Sequence, residues 1–80
     1  MAQLPEIGQR IELAHEVEFW ADTNGPERLD YVADRWTPFV VVSIDYVDPD
    51  YFNAEIKCDN GEWDDTIEVD IFHDDWRPAT

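Results

Sequence analysis

Residues 51–61 read Tyr51-Phe52-Asn53-Ala54-Glu55-Ile56-Lys57-Cys58-Asp59-Asn60-Gly61. Phe52, Ala54, Ile56 and Cys58 alternate with Asn53, Glu55 and Lys57, the period of a strand that buries one face. Asn60-Gly61 then supplies two residues able to take positive φ, which a tight hairpin turn needs. Beyond it Ile67, Val69 and Ile71 alternate with Thr66, Glu68 and Asp70, the pattern of a second strand. A two-residue turn would set Asp65 opposite Ile56. Bringing Ile67 inward is therefore expected to take either a longer loop or a bulge at Asp64-Asp65, with the bulge favoured.

Working upstream, Asp48-Pro49-Asp50 reads as a turn, and residues 39–47 as the strand before it. Val40, Val41 and Val42 are β-branched, and Pro38 keeps Thr37 extended. That run is apolar on both faces at its start, so it belongs in the middle of a sheet. Residues 10–20 also alternate, Ile11, Leu13, His15, Val17 and Phe19 against Glu12, Ala14, Glu16 and Glu18, and predict one half-buried strand entered at Gly8. Between these two strands, Asn24-Gly25 suggests a turn and Pro26 suits the first position of a helix. Leu29, Val32, Ala33 and Trp36 then recur at helical spacing, which predicts a short helix over residues 26–35; an irregular long loop is the alternative. In the tail, Trp76 is placed to close the sheet. The chain is thus expected to be one domain, residues 1–80, mainly β: a small antiparallel barrel or curled sheet of four to five strands with one excursion after the first.

Three stretches carry a resemblance: Gly8-Gln9-Arg10-Ile11-Glu12-Leu13, Val40-Val41-Val42-Ser43-Ile44-Asp45, and Ile56-Lys57-Cys58-Asp59-Asn60-Gly61. Their strand pattern resembles that of small SH3-like barrel domains of phage and bacterial genomes. The insert at residues 21–35 and the acidic stretch after Gly61 depart from it. The resemblance implies a fold and no function.

Charge is the unusual property. Twenty Asp and Glu against five Lys and Arg give a formal net charge of −15. Residues 1–40 carry eight acids and three bases, whereas residues 41–80 carry twelve and two, so the excess lies toward the second half. Four Trp, four Phe and three Tyr exclude a disordered acidic tail. Such a field repels phosphate and anionic lipid and speeds encounter with basic surfaces. No direct nucleic-acid or membrane partner is therefore expected. Residues 1–6 have neither a basic start nor an apolar run, so no signal peptide is expected and the cytoplasm of the producing or infected host cell is the expected location.

Catalytic constellations are thin. Cys58 is the only cysteine and sits in an apolar alternation, which favours a buried thiol. His15 shares the apolar face of its strand and reads as a hydrogen-bonded structural residue before a general base. His73-Asp74-Asp75 could approach a metal, but adjacent residues of an extended chain point to opposite sides. Asp48-Pro49-Asp50 and Asp59-Asn60-Gly61 lack the spaced acids and terminal Glu of a calcium loop. Neither an enzyme nor a cofactor or metal site is expected.

The acids themselves are more informative. Residues two apart on a strand share a side about 6.6 Å apart, so Glu12, Glu16 and Glu18 are expected to form one row. Glu68 and Asp70 form another, extended by Glu62, Asp64 and Asp65. Phosphates of one DNA strand rise about 3.4 Å along the axis, with a longer separation along the path, so carboxylates at alternate strand positions can match them. Outward acids also arise simply because solvent faces are polar and sheet edges need charge. Trp20, Tyr51 and Trp63 fall on the polar parity, as binding anchors would or as caps on the open ends of a barrel. As a functional class, this pattern resembles the small acidic phage proteins of anti-CRISPR or anti-restriction type that imitate nucleic acid. The resemblance implies a basic nucleic-acid-binding protein or nuclease as partner, met through Glu12, Glu16, Glu18, Asp64, Asp65, Glu68, Asp70, Trp20 and Trp63. The alternative is an SH3-like interaction or phage accessory module, in which Trp20, Trp36, Trp63 and the tyrosines form the groove and acidity serves solubility. Mutual repulsion of crowded acids also predicts a fold that melts higher in mildly acidic or salted buffer.

Overall fold

The computed structural model describes residues 4–21, 28–59 and 66–79. These residues form seven strands and, among them, no helix: β1 (Arg10–Leu13), β2 (Val17–Ala21), β3 (Arg28–Ala33), β4 (Pro38–Val47), β5 (Tyr51–Cys58), β6 (Thr66–Phe72) and β7 (Trp76–Pro78). Five of them make an antiparallel sheet in the order β6-β5-β4-β1-β7, and β2 and β3 make a second, two-stranded sheet. β6 and β7 are the two edges and do not pair with each other, so the sheet stays open and is not a barrel. Register shifts in β4 between Val41 and Ser43 and between Ile44 and Tyr46 bend it.

The alternation read in residues 51–71 survives in three dimensions. Phe52, Ala54 and Ile56 sit opposite Ile71, Val69 and Ile67, and this face turns inward. Phe39, Val41, Ile11 and Leu13 continue it across β4 and β1, all fully buried. Val17, Phe19 and Ala33 of the two-stranded sheet close over the same core. The ring of Phe19 stacks on Phe39 at 6.4 Å and tilts against Tyr31 at 5.8 Å, joining the two sheets. Cys58 is buried, as its position in the alternation implies. Trp76 does not close the sheet but adds the tail to it as an edge strand: it lies opposite Leu13 in the β1–β7 pair and meets Phe52 edge-on at 6.4 Å.

Two expectations are corrected, and a third falls partly outside the described residues. Residues 10–20 are two strands rather than one. The chain leaves the large sheet after Leu13, bends at Ala14 and His15, and resumes at Val17 in the other sheet. The bend is held from outside: Ala14 N–H donates to the Asp75 carbonyl at 3.0 Å, and Trp36 N–H donates to the Leu13 carbonyl at 2.7 Å. The interruption keeps parity, so Ile11, Leu13, Val17 and Phe19 are all buried and the alternation runs on through it.

The helix over residues 26–35 does not form, nor does a loop take all its place. Residues 28–33 are β3, paired with β2 from Val17↔Ala33 to Ala21↔Arg28 with a bulge between Phe19 and Trp20. Asn24, Gly25 and Pro26 lie outside the described residues. Lastly, Ile56 faces Ile67 with no irregularity anywhere along β5 and β6. Asp65 and Ile67 have the same parity, so bringing Ile67 opposite Ile56 slides the register by two residues and turns no side chain over. No bulge is needed to bring Ile67 inward; Asp64 and Asp65 themselves lie outside the described residues.

Candidate functional site

The outer face of β4, β5 and β6 gathers what the core excludes. Its cross-strand pairs run Tyr51↔Phe72, Asn53↔Asp70, Glu55↔Glu68 and Lys57↔Thr66 between β5 and β6, with Tyr46↔Asn53 and Ser43↔Glu55 between β4 and β5. At one end lies an aromatic ladder. Tyr51 is half-buried between Tyr46, at 5.9 Å between ring centroids, and Phe72, at 6.1 Å. Tyr46 and Phe72 are each 53 % exposed. Acids lie beside the ladder: Asp48 and Asp70 act on the Tyr51 hydroxyl, and Asp50 and Asp74 line a depression next to Phe72.

The turn at residues 48–50 fixes this end. Asp50 N–H donates to Asp48 Oδ1 at 3.1 Å, a side-chain closure that Asp favours in turns. Asp48 N–H donates to the Tyr51 carbonyl at 2.8 Å. From the turn after β6, His73 lies with Nε2 2.9 Å from the Asp48 carbonyl, and its ring packs on Phe52 at 5.4 Å. Pro49, Asp50, Phe72, His73 and Asp74 line a shallow depression beside it. Two more polar contacts orient the acids. Asn53 Nδ2 donates to Asp70 Oδ1 at 3.1 Å, and Tyr46 OH donates to Asp48 Oδ2 at 3.4 Å. The Tyr51 hydroxyl has its pKa raised, first by desolvation and then by repulsion from Tyr46, Asp48 and Asp70.

Three of the five basic residues are engaged elsewhere, whereas Lys57 shares the outer face of β5, two residues from Glu55. Arg10 pairs with Asp59, Arg28 with Asp30 at 3.0 Å, and Arg77 with Glu12 at 2.6 Å. The Arg77 guanidinium also lies over the Trp36 ring, 3.7 Å from its centroid. Among the described residues no ion pair reaches Glu55, Glu68, Asp70, Asp45, Asp48 or Asp50.

The acids singled out from the sequence therefore separate. Glu68 and Asp70 share the outer face of β6 with Glu55 opposite. Glu12 is on β1, half-buried and occupied by Arg77, whereas Glu16 and Glu18 lie past the bend, exposed, in and beside the small sheet. The row of Glu12, Glu16 and Glu18 is thus broken by the chain's change of sheet. Trp20 is on the small sheet, 50 % exposed, opposite Leu29, with exposed Val32 on the same hairpin. Glu62, Trp63, Asp64 and Asp65 lie outside the described residues. His15 is hydrogen-bonded, its Nδ1 2.7 Å from Asp75 Oδ2. Tyr51 lies on the polar side that its parity gives, and Tyr46, one of the tyrosines that the alternative module assigns to a groove, joins it there with Phe72, which the sequence did not single out. Phe72 ends the β6 alternation on the outer parity, which was the available signal; Tyr46 was hidden by the two register shifts of β4.

The fold and this face define a small open-sheet antiparallel β protein with an acidic, aromatic outer surface. Comparison with protein-family models, with curated proteins and with solved structures gives no match for this chain. Among the described residues no group of His, Cys, Asp and Glu could hold a metal ion, and no helix is long and apolar enough to cross a membrane.

Proposed function

We propose that this chain is an inhibitor that imitates nucleic acid and occupies a basic DNA- or RNA-binding groove of another protein, with a host defence nuclease such as a CRISPR effector or restriction enzyme as the partner class. The observation that carries this reading is the division of charge within the fold. Arg10, Arg28 and Arg77 are held by the chain's own acids, while Glu55, Glu68 and Asp70 make no ion pair among the described residues on an outer face of β5 and β6 whose one described cation is Lys57. Glu68 and Asp70 are two apart on one side of β6, about 6.8 Å along the strand. Glu55 faces Glu68 about 5 Å away across the pair. A groove that grips phosphates with Lys and Arg meets a comparable run of negative charge here. The reading assigns the chain no reaction and no cofactor, and centres the contact on Glu55, Glu68 and Asp70.

Association should be fast and strongly weakened by salt. The test is capture of partners from a host lysate with the wild-type chain and with E68Q/D70N, at low and high salt, followed by competition with duplex DNA or RNA. Recovery of nucleic-acid-binding proteins that the double variant and salt both release supports the reading. Partners that are neutral or acidic and indifferent to salt refute it.

A second reading rests on a different observation. Trp20 and Leu29, paired across the small sheet and 50 % and 40 % exposed, form an apolar surface with Val32. An interaction or phage accessory module would use that surface, with acidity serving solubility. Trp20→Ala would then abolish binding, and neutralising Glu68 and Asp70 would leave it intact.

A further inference from the structure

We propose that the aromatic ladder of Tyr46, Tyr51 and Phe72 is an arginine-binding anchor, which takes a guanidinium of the partner between a ring face and the carboxylates of Asp48 and Asp70. The inference rests on the basic-partner reading above and specifies the side chain that the partner must present.

The chain contains its own instance of the same chemistry. Arg77 is held by two things at once: a ring face, Trp36 at 3.7 Å, and a carboxylate, Glu12 at 2.6 Å. A planar guanidinium can stack on a ring and donate in its own plane to an acid; an ammonium has no such plane. At the β4–β5 turn those two components recur on an exposed face. Tyr46 and Phe72 offer half-exposed rings, and Tyr51 fixes their spacing from between them. Asp48 accepts only from Tyr46 OH and Asp50 N–H, and Asp70 from Asn53 Nδ2, among the described residues. A carboxylate has roughly four acceptor sites, so both retain capacity for a charged donor. Lys57, the cation on the same outer face of β5, is six residues from Tyr51, about 20 Å along the strand. The turn is braced by Asp50 and His73, so the ladder is formed before any partner arrives.

Charge complementarity excludes an acidic or phosphorylated partner, and the rings distinguish arginine from lysine. The test titrates the full chain with decaarginine and decalysine peptides at low salt, following backbone amide shifts by NMR. The anchor predicts that decaarginine binds about two- to fivefold tighter per anchored side chain, with shifts centred on Tyr46, Tyr51, Asp70 and Phe72. Phe72→Leu and Tyr46→Leu keep apolar bulk at exposed positions but remove the ring. Either should erase the preference while leaving decalysine binding unchanged. Equal affinities, a preference that outlasts either substitution, or shifts centred elsewhere overturn the anchor and leave the basic-partner reading standing. If neither peptide binds at low salt, both are wrong.

Discussion

The guanidinium of Arg77 lies 3.7 Å from the centroid of the Trp36 ring while donating to Glu12, so a residue of β7 clamps the corner between β3 and β4 onto β1. Trp36 reaches this position with a φ of 68°, the left-handed region that an aromatic residue rarely adopts. The backbone there favours glycine, whereas the contact demands a ring. Trp36→Ala loses the ring and keeps the strain; Trp36→Gly loses the ring and relieves it. Glycine should therefore be the milder replacement, by about 1 kcal/mol in urea unfolding, the reverse of the usual order within regular structure. A glycine variant less stable than the alanine one would show that the strain is absent.

Glu55 and Glu68 face each other directly across β5 and β6. Like charges in that relationship destabilise a sheet, so E68Q should raise stability by about 0.2–1 kcal/mol, and E68K by at least as much. Denaturant melts of the two variants check it. The same substitutions should weaken partner binding, and that opposition of stability and affinity is what a functional acid on a sheet face produces.

Tyr51 titrates above the ordinary tyrosine value because of desolvation and its neighbours Tyr46, Asp48 and Asp70. A raised folded-state pKa gives a contribution that is fully present below the unfolded value, about 10, and is lost as pH rises through the folded one. The wild-type chain should lose stability at strongly alkaline pH more steeply than Tyr51→Phe, which has no hydroxyl to ionise. An ultraviolet titration of tyrosinate should show a late component that is lost in that variant. D48N should move that component back toward lower pH.

A net charge of −15 on 80 residues makes self-repulsion a general cost of folding. Added sodium chloride should raise the melting temperature steadily over the range in which the screening length shrinks below the spacing of the sheet's acids. A melting temperature indifferent to salt would mean that the acids are compensated throughout the chain.

How much of this was legible in the sequence depended on whether local pattern and tertiary partner agreed. In β5 and β6 they do, since Phe52, Ala54, Ile56 and Ile71 are all buried on the face that the alternation assigns to them. In residues 10–20 the alternation was right about burial and silent about connectivity. A bend that preserves parity leaves no trace in a period-two pattern, and the groups holding it, Asp75 and Trp36, are remote in sequence. In residues 28–33 the spacing of Leu29, Val32 and Ala33 suggested a helix, yet only Ala33 of the three is buried and Tyr31 packs against the core. Pairing with β2 overrode the local period. The acidic face was half legible. Glu68 and Asp70 follow from their parity, but the neutralisation of Glu12 required knowing that Arg77 lies opposite it in β7. The ladder of Tyr46, Tyr51 and Phe72 is assembled by two hairpins whose registers the sequence does not state.

Competition against nucleic acid tests the central claim most directly. A basic nucleic-acid-binding protein captured by the wild-type chain is loaded with its own labelled duplex, and displacement is followed by fluorescence anisotropy as the chain is added. The account predicts full displacement at low salt, a stepwise loss of potency through E55Q, E68Q and D70N, and loss of displacement as salt rises. Formation of a ternary complex with the duplex still bound, or potency unchanged in the triple variant, would contradict it.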